Sequence, residues 1–439
     1  MPLLLPVLGG NATPHDVSRA LQTGLMAFCG LAALPTVAAA RLRWPVMFLL
    51  LAAAVTTLRA DRLEMAWREA ASYLGLIAVA VTVAVALAQP RLRRLLQWAV
   101  VAATGLYAVA VLTMALMAGV ADAPLQHSEL IFGYANRRHF NHVQTVAVLL
   151  CLLVATEASD RRLRRLAILA AICSLALLVL TFGRATVVAG LSGVLAASWA
   201  ARSTRLLRLA TACVVVGLVL HLAVFQLWPL TWGRVAAPSV DHAMNHLAGD
   251  QSRIALWAWA WSAWCEAPWF GIGPMHLAQR FNGIVAHPHN LLLQFAAEWG
   301  AVALALASIL VAGFMYRLWL ASRHKPAAAG GLALVVAVLV DGLFSGNAVM
   351  PVSQVWIAVA AGWAWQVQAT GANRSAPARW ADPAVWMGWL LALVLMSQPV
   401  ALAVITARDW SGLPGSLEAA RVRYPSEQNS PRFWSHGWF

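Results

Sequence analysis

Residues 268–300 read PWFGIGPMHLAQRFNGIVAHPHNLLLQFAAEWG. Two closely spaced glycines open this stretch, the cluster His287, Pro288, His289 and Asn290 lies within it, and a new apolar segment follows. The sequence on either side is strongly apolar. A polar, kinked insert that bears histidines in such a chain predicts the place where chemistry occurs.

The rest of the chain has the composition of a membrane protein. Its 439 residues are 61% hydrophobic and 11% charged, with a mean hydropathy of +0.70, whereas soluble domains carry about 25% charged residues. No polar stretch reaches the roughly 100 residues of a typical soluble domain. The apolar runs are continuous, unlike the alternating segments of a membrane barrel. They predict an all-α fold, a polytopic transmembrane helical bundle.

About twelve apolar runs approach the roughly 20 residues that a transmembrane helix needs. They lie near residues 20–40, 44–59, 71–89, 95–119, 140–158, 166–182, 185–201, 209–228, 291–315, 327–344, 353–369 and 384–406. The pattern predicts four parts: N-terminal transmembrane helices over 1–228, one long periplasmic loop with short helices and active-site residues over 229–290, C-terminal transmembrane helices over 291–406, and a periplasmic tail over 407–439.

Basic clusters between the runs predict the topology. They occur at residues 41–43, 91–94, 161–165, 202–208, 317–325 and 374–379, and the positive-inside rule assigns them to the cytoplasm. The segments 60–70, 120–139, 183–184, 229–290 and 345–352, together with both termini, then fall outside. These clusters also explain the net charge of +14, so the charge indicates membrane topology and no nucleic-acid partner.

Five tryptophans mark the second half of the long loop, between residues 257 and 269. Tryptophan prefers the membrane–water interface. Residues 254–266 are therefore predicted to form a helix that lies against the bilayer or caps the bundle. A buried lid helix without lipid contact is an equally good interpretation.

His289 is the first candidate for catalysis, because histidine is the usual general base near neutral pH. Asn290, Gln294 and Glu298 follow at i, i+4 spacing and line one face of the helix. Polar groups in a membrane span face the bundle interior or a wet cavity, so these three are predicted to contact substrate. The alternative is that they only cap and join helices.

Two arginines are candidates for binding an anion. Arg184 stands at a short turn between two apolar runs, where it needs a carboxylate, a headgroup or a substrate phosphate as partner. Arg253 stands near the start of the tryptophan-rich helix, where a positive charge opposes the helix dipole. Headgroup snorkelling of Arg184 and pairing of Arg253 with Asp250 are the plainer interpretations. Asp250 or Ser252 is expected to cap the helix.

A polar cluster at the start of the fifth run predicts a rim that faces substrate. Anchoring of its arginines to lipid headgroups is the alternative interpretation. Asp341, near the outer end of the tenth run, is expected to pair with an arginine. The rim residues are Arg137, Arg138, His139, Asn141 and His142.

No cofactor and no metal are predicted. His242 and His246 have a spacing that can place two ligands on one metal, but such pairs are common by chance. Gly271 and Gly273 lack the third glycine and the βαβ context of a dinucleotide fingerprint. They are expected to permit a tight turn after Pro268.

These motifs together resemble the superfamily of O-antigen ligases and polymerases of bacterial envelopes. Its signature is P-x-x-G-x-G, then His-Asn, nine residues and a glycine, which Pro268, Gly271, Gly273, His289–Asn290 and Gly300 match. TFGRATVVAG resembles the arginine turn of the family and GDQSRIALW its second arginine segment. The resemblance covers roughly residues 130–310.

The resemblance implies a glycosyltransferase of lipopolysaccharide biosynthesis in the inner membrane, with its active site facing the periplasm. The implied donor is a glycan linked to undecaprenyl pyrophosphate, and the implied acceptor is a hydroxyl of lipid A–core. Ligases of this type need no nucleotide or metal. His289 is then the base that activates the acceptor, and Arg184 and Arg253 hold the pyrophosphate during an inverting displacement.

Other functions stay open. An O-antigen polymerase would use another repeat unit as acceptor, and a protein O-oligosaccharyltransferase would use a hydroxyl of a protein such as pilin. A lipid-linked sugar transporter or flippase is the alternative of another class. Transporters tend to show repeats and broken helices at the membrane midplane, which this sequence does not show. A purely structural scaffold leaves the polar cluster unexplained.

Overall fold

The computed structural model of the protein describes residues 13–39, 44–120, 130–231, 251–282, 284–369, 383–410 and 432–435. Within these ranges the chain is almost entirely helical and has no β-strand. The prediction of an all-α bundle is confirmed.

Thirteen helices are numbered here in chain order. They are α1 (Pro14–Ala38), α2 (Trp44–Leu58), α3 (Leu63–Ala88), α4 (Pro90–Val120), α5 (Arg137–Glu157), α6 (Arg161–Thr181), α7 (Arg184–Ala201), α8 (Arg205–His221, continued by a π-helical turn Leu222–Leu227 and by Trp228–Thr231), α9 (Gln251–Glu266), α10 (Leu291–Ser322), α11 (Pro326–Gly342), α12 (Pro351–Ala369) and α13 (Pro383–Trp410).

Each of the predicted spans overlaps one of these helices, and α9 is the additional helix inside the predicted loop. Nine helices in the described part of the chain are long and apolar enough to cross a membrane: α1, α3, α4, α5, α6, α7, α8, α10 and α13. The helices α2 and α11 are shorter but apolar. The helix α12 has 19 residues.

Polar residues fix where several helices begin. The side chain of Asn136 accepts a hydrogen bond from the amide of Arg138 at the start of α5. Asp160 accepts one from the amide of Arg162 at the start of α6. Each such cap satisfies an amide that has no partner inside the helix.

The helix α5 lies at the centre of the bundle. All of its residues from Phe140 to Ala155 are buried, as expected for its second half, Val146 to Ala155, which is apolar on every side. It packs against α6, α11 and α12, while α1 packs against α13 and α3. Polar groups at the start of α5 are therefore enclosed by several helices.

The bundle has two chemically different ends. At the basic end, Arg94 in the first part of α4 contacts Asp160, the cap of α6, at 3.2 Å. At the opposite end, here called the site end, the amide of Arg62 donates to Nε2 of His276 at 3.0 Å. The first contact joins two of the segments that charge assigns to the cytoplasm, and the second joins two of the segments that charge assigns to the outside. Assignment of the site end to the periplasm stays a prediction.

Candidate active site

A backbone break in α10 organises the site end. Gly300 has φ +78° and ψ 171° in the middle of this helix, and Gly271 has φ +70°. Side chains rarely tolerate such positive φ values. A Cβ atom on Gly300 would overlap the backbone from Trp269 to Gly271, and one on Gly271 would overlap the backbone of Glu298. Both glycines are therefore needed for the close approach of the two segments.

The loop before Gly273 replaces the hydrogen bonds that α10 loses at Gly300. Four hydrogen bonds between the loop and α10 take their place. A buried backbone group left without a partner costs about 1–3 kcal/mol, so these four bonds stabilise the helix at its break. The two halves of the signature, 268–273 and 297–302, thus form one folded unit. The amides of Ile272 and Gly273 donate to the carbonyls of Ala297 (2.9 Å) and Glu298 (3.1 Å), and the amides of Ala301 and Val302 donate to the carbonyls of Pro268 (2.8 Å) and Trp269 (3.2 Å).

His276 attaches this unit to the start of α3. Its Nδ1 lies 2.8 Å from the carbonyl of Pro274, and its Nε2 accepts from the amide of Arg62. The ring therefore carries its proton on Nδ1 and is neutral. Burial lowers the pKa of His276, which favours this state. Its position is explained by packing.

His289 lies just before α10 in a conformation that is rare for a residue with a side chain. Its φ is +52°, and such outliers cluster at functional sites. Asn290 follows as the cap of α10, with its side chain accepting from the amide of Leu293 at 3.0 Å. The rings of His287 and His289 meet edge to face with centroids 4.3 Å apart. Backbone and neighbours together fix the direction of the His289 ring.

The surroundings of His289 are positively charged. Burial lowers the pKa of His289 to about 3, and Arg138, Arg253 and His139 lower it further by electrostatic repulsion. The imidazole is therefore neutral at physiological pH and can accept a proton. The same interaction shows that Arg138 on α5 and Arg253 on α9 lie within electrostatic range of His289.

His287 is the more enclosed of the two histidines. It is 2% exposed, and its ring lies against Gly346, where a Cβ atom would overlap it. Burial lowers the pKa of His287, with further lowering from His289 and Arg432. Its Nδ1 has no hydrogen-bond partner in the described residues. His287 therefore packs against His289, and its ring is almost inaccessible to solvent.

Three helices carry arginines in their first turns at the site end. Arg138 lies in α5, Arg184 begins α7, and Arg253 lies in the first turn of α9, and none of these turns contains an acidic residue. Positive side chains at helix N-termini oppose the helix dipole. Helix N-termini are also ready anion-binding sites. The arrangement is suited to a large anion.

Contacts between α7 and α5 fix the position of Arg184. The hydroxyl of Thr186 donates to the carbonyl of Asn141 at 2.9 Å, and Gly183 is so close to the Asn141 amide that a Cβ atom would overlap it. Arg184 is exposed at this junction. Arg184, Arg253 and His289 thus lie at the same end of the bundle, and their roles in binding and catalysis stay predictions.

The predicted rim residues divide into outer and inner groups. Arg138 is exposed, while Arg137 and His139 are partly buried. Asn141 and His142 are buried, and the amide oxygen of Asn141 accepts from Thr181 at 2.6 Å. The inner pair therefore contributes to helix packing, and substrate contact stays a prediction for all five.

The expected pairing of Asp341 with an arginine is not found. Its carboxylate lies 3.7 Å from Nδ1 of His142, and neither oxygen has a hydrogen-bond partner among the described residues. Asp341 is fully buried near the end of α11. Packing of α11 against α5 therefore places an imidazole beside it.

The polar face predicted for α10 points inward. Gln294 is 3% exposed and Glu298 is fully buried. Glu298 accepts from the amide of Leu277 at 3.1 Å and forms an ion pair with Arg432. Its observed contacts join protein segments, and its predicted contact with substrate stays a prediction, as do those of Asn290 and Gln294.

Two charged residues of the site end were missed by the sequence analysis. Arg432 donates to both carboxylate oxygens of Glu69 at 3.0 Å. Both are nearly buried, at 2% and 8% exposure. Charged residues beside apolar spans often have a functional or structural role, so each of the two could have been chosen as a candidate from the sequence. Their pairing could not be predicted, because 363 residues separate them.

Part of the long loop lies outside the described residues, including His242, His246 and Asp250. The side chain of Ser252 is not described either. Within the described ranges, no three His, Cys, Asp or Glu side chains are grouped as metal ligands. The helix α9 packs on α10 through Ala260 and Ala263, while Ile254 and Trp261 are exposed. It therefore covers the outer part of α10.

A family model described as O-antigen ligase matches residues 169–308. This range runs from α6 into α10 and includes Arg184, Arg253, His289 and Gly300. The resemblance to the O-antigen ligase superfamily is thus confirmed. None of the curated proteins matches the chain. The matched domain supports a ligase or polymerase type of function that acts on glycans.

Proposed function

We propose, from the premise that residues 169–308 form an O-antigen ligase domain, that this protein transfers a glycan from undecaprenyl pyrophosphate to a hydroxyl of lipid A–core. The observation that carries the proposal is the grouping of a neutral His289 with Arg138 and Arg253. The reaction takes place at the periplasmic face of the inner membrane, where the carrier lipid stays in the bilayer.

The pyrophosphate of the donor binds near the N-termini of α5, α7 and α9, where the three arginines lie. Arg138, Arg184 and Arg253 supply planar donors that match phosphate oxygens. Charge develops on the leaving pyrophosphate as its bond to the sugar breaks. Positive groups that are held in place before the reaction stabilise that charge.

His289 activates the acceptor. The acceptor hydroxyl gives its proton to the imidazole, and its oxygen forms a bond to the anomeric carbon of the donor sugar. The bond between this carbon and the pyrophosphate oxygen breaks, and undecaprenyl pyrophosphate leaves with the electron pair. One displacement inverts the anomeric centre and requires no metal ion.

Donor binding prepares His289 for this role. Burial, together with Arg138 and Arg253, holds its pKa low in the free protein. A bound pyrophosphate adds negative charge near the same arginines and raises the pKa of the imidazole. A base is most effective when its pKa lies near the working pH. The donor therefore makes His289 a stronger base only when the substrate is in place.

The pH dependence of kcat/KM provides a direct check, because this quantity reports the free enzyme. We expect kcat/KM to stay level as the pH falls from about 8 to about 5, since the free His289 is protonated only around its pKa of about 3. In Arg253→Gln, loss of a positive neighbour raises this pKa, and the acid limb moves to higher pH. A tenfold fall in the parent protein between about pH 7 and about pH 6 would contradict this electrostatic description.

A reconstituted assay tests the function. Purified protein is mixed with undecaprenyl pyrophosphate glycan and EDTA, and lipid A–core, a second glycan repeat and pilin are offered in separate reactions. Product only with lipid A–core supports the ligase. Product only with the repeat or with pilin assigns the polymerase or the protein glycosyltransferase. Movement of the lipid-linked glycan across liposomes without product would support the flippase and reject the proposal.

A further inference from the structure

The segment Arg432–Ser435 lies inside the site end of the bundle. Its exposed fractions are 2% for Arg432, 5% for Phe433, 8% for Trp434 and 2% for Ser435. These values are typical of a core element. Four residues close to the C-terminus of the chain are thus enclosed by the first, third and tenth helices.

The first turns of α1 bind the main chain of this segment. Arg19 donates through Nε to the carbonyl of Phe433 at 3.0 Å and through Nη2 to the carbonyl of Arg432 at 2.8 Å. Nε2 of His15 lies 3.1 Å from the same Phe433 carbonyl. The guanidinium groups of Arg19 and Arg68 lie 5.1 and 5.3 Å from the centre of the Phe433 ring. Such cation–π contacts strengthen where water is excluded.

Asp16 binds the end of the segment. Its Oδ1 accepts from the amide of Ser435 at 2.7 Å, and its Oδ2 accepts from the Ser435 hydroxyl at 2.8 Å. Thr13, the cap of α1, also donates to Oδ2 at 2.7 Å. Asp16, His15 and Arg19 therefore form a binding site whose polar groups match those of a short peptide.

Arg432 connects three parts of the candidate active site. It forms hydrogen bonds with Glu69 of α3 and with Glu298 of α10, and its Nη1 donates to the carbonyl of Ala286 at 3.1 Å. Ala286 lies three residues before His289. Glu298 in turn accepts from the amide of Leu277. The guanidinium group of Arg432 thus contacts both the loop just before His289 and the helix α10 that follows this loop.

Removal of this guanidinium leaves two buried carboxylates side by side. Burial alone would lower the pKa of Arg432, but Glu298 and Glu69 raise it above its ordinary value. Buried charges without a partner are strongly unfavourable, and the two carboxylates would repel each other. Glu298 must then protonate or move, and its hydrogen bond from the amide of Leu277 and the contact of Arg432 with Ala286 would be disturbed.

We propose that the segment Arg432–Ser435 is an internal clamp that docks on α1 and α3, and that Arg432 is a positioning residue for His289. The proposal rests on the proposed glycan transfer. The clamp holds the loop before His289 against α10, so that the imidazole reaches the acceptor hydroxyl in the conformation described above.

Thiol labelling tests the docking without any assay of activity. A cysteine is introduced as Ser435→Cys together with Cys265→Ser, because Cys265 is exposed and the other cysteines are buried. A maleimide reagent should label the introduced thiol slowly in this protein. Adding Arg432→Met or Asp16→Ala should accelerate labelling about tenfold or more, because the segment opens locally. Equally fast labelling in all three proteins would overturn the clamp.

Kinetics test the positioning role. We expect Arg432→Met to lower kcat about 100-fold through misplacement of His289, with the KM for the donor changed less than about threefold. Arg432→Lys keeps the charge but not the fork, and its kcat should fall between those of the parent and Arg432→Met. Arg94→Met removes an arginine that pairs with Asp160 at the basic end and should leave both parameters unchanged.

Arg432→Lys keeps the test decisive if Arg432→Met folds poorly, because it leaves a positive charge beside Glu69 and Glu298. Its kcat should still fall about tenfold, since one ammonium group cannot also donate to the carbonyl of Ala286 as the guanidinium does. A normal kcat in Arg432→Met or in Arg432→Lys would overturn the positioning role. If the parent protein transfers no glycan to any acceptor, the proposed function fails, and labelling still decides whether the segment docks.

Discussion

Replacement of His289 by alanine is expected to abolish glycan transfer, with kcat lowered about 1000-fold or more. A positioned general base typically contributes about 10²–10⁴-fold, and the left-handed backbone at His289 helps to hold its imidazole in place. His287 is buried against Gly346 and cannot take over the role. The measurement is single-turnover transfer from labelled donor to lipid A–core.

A second histidine provides the control for this variant. His324 is exposed at the basic end, between α10 and α11, and His324→Ala should transfer glycan at the parent rate. Donor binding measured separately should survive in His289→Ala, because the arginines that receive the pyrophosphate are intact. Turnover of His289→Ala within about tenfold of the parent would remove His289 from the role of base.

Replacement of Gly300 by alanine is expected to have the largest effect on folding. The alanine would have φ +78° and a Cβ atom in the space of the Trp269–Gly271 backbone. Backbone cannot move aside as a flexible side chain can, so the four hydrogen bonds between the segments would be lost together. We expect a loss of more than about 4 kcal/mol, in the range of severe core substitutions.

Gly313 on the same helix is the matched control. A Cβ atom there meets no neighbour within 4 Å, and alanine in a helix interior is more stable than glycine by about 0.5–1 kcal/mol. Gly313→Ala should therefore unfold at the parent temperature or slightly above it. Thermal unfolding in detergent, followed by tryptophan fluorescence, compares the two. Similar melting of Gly300→Ala and Gly313→Ala would show that the break in α10 is not required.

The sequence allowed the helices and their grouping to be predicted, because both depend on local composition. Apolar runs identify spans through their length, and the basic clusters identify which turns share an end. Arg184, Arg253 and His289 were found as candidates because polar residues are rare beside such runs. The match of residues 169–308 to the ligase family supports the same region.

The contacts of the site could not be predicted in this way. Asp341 was expected beside an arginine, but packing of α11 against α5 places His142 there. Gly271 was expected to permit a turn after Pro268. The structure shows that its positive φ also allows contact with the backbone at Glu298 and Gly300, which no local pattern reveals.

Local composition alone thus predicted a helical membrane bundle with basic clusters at one end and the candidate site residues at the other. Hydropathy and charge act residue by residue, so their pattern can be read along the chain. The folded bundle was needed to show that the loop 268–273 repairs the break at Gly300, and that Arg432 joins Glu69 and Glu298 across 363 and 134 residues. Such pairings depend on which helices pack together, because buried charges and backbone groups take the partners that the folded bundle brings within reach.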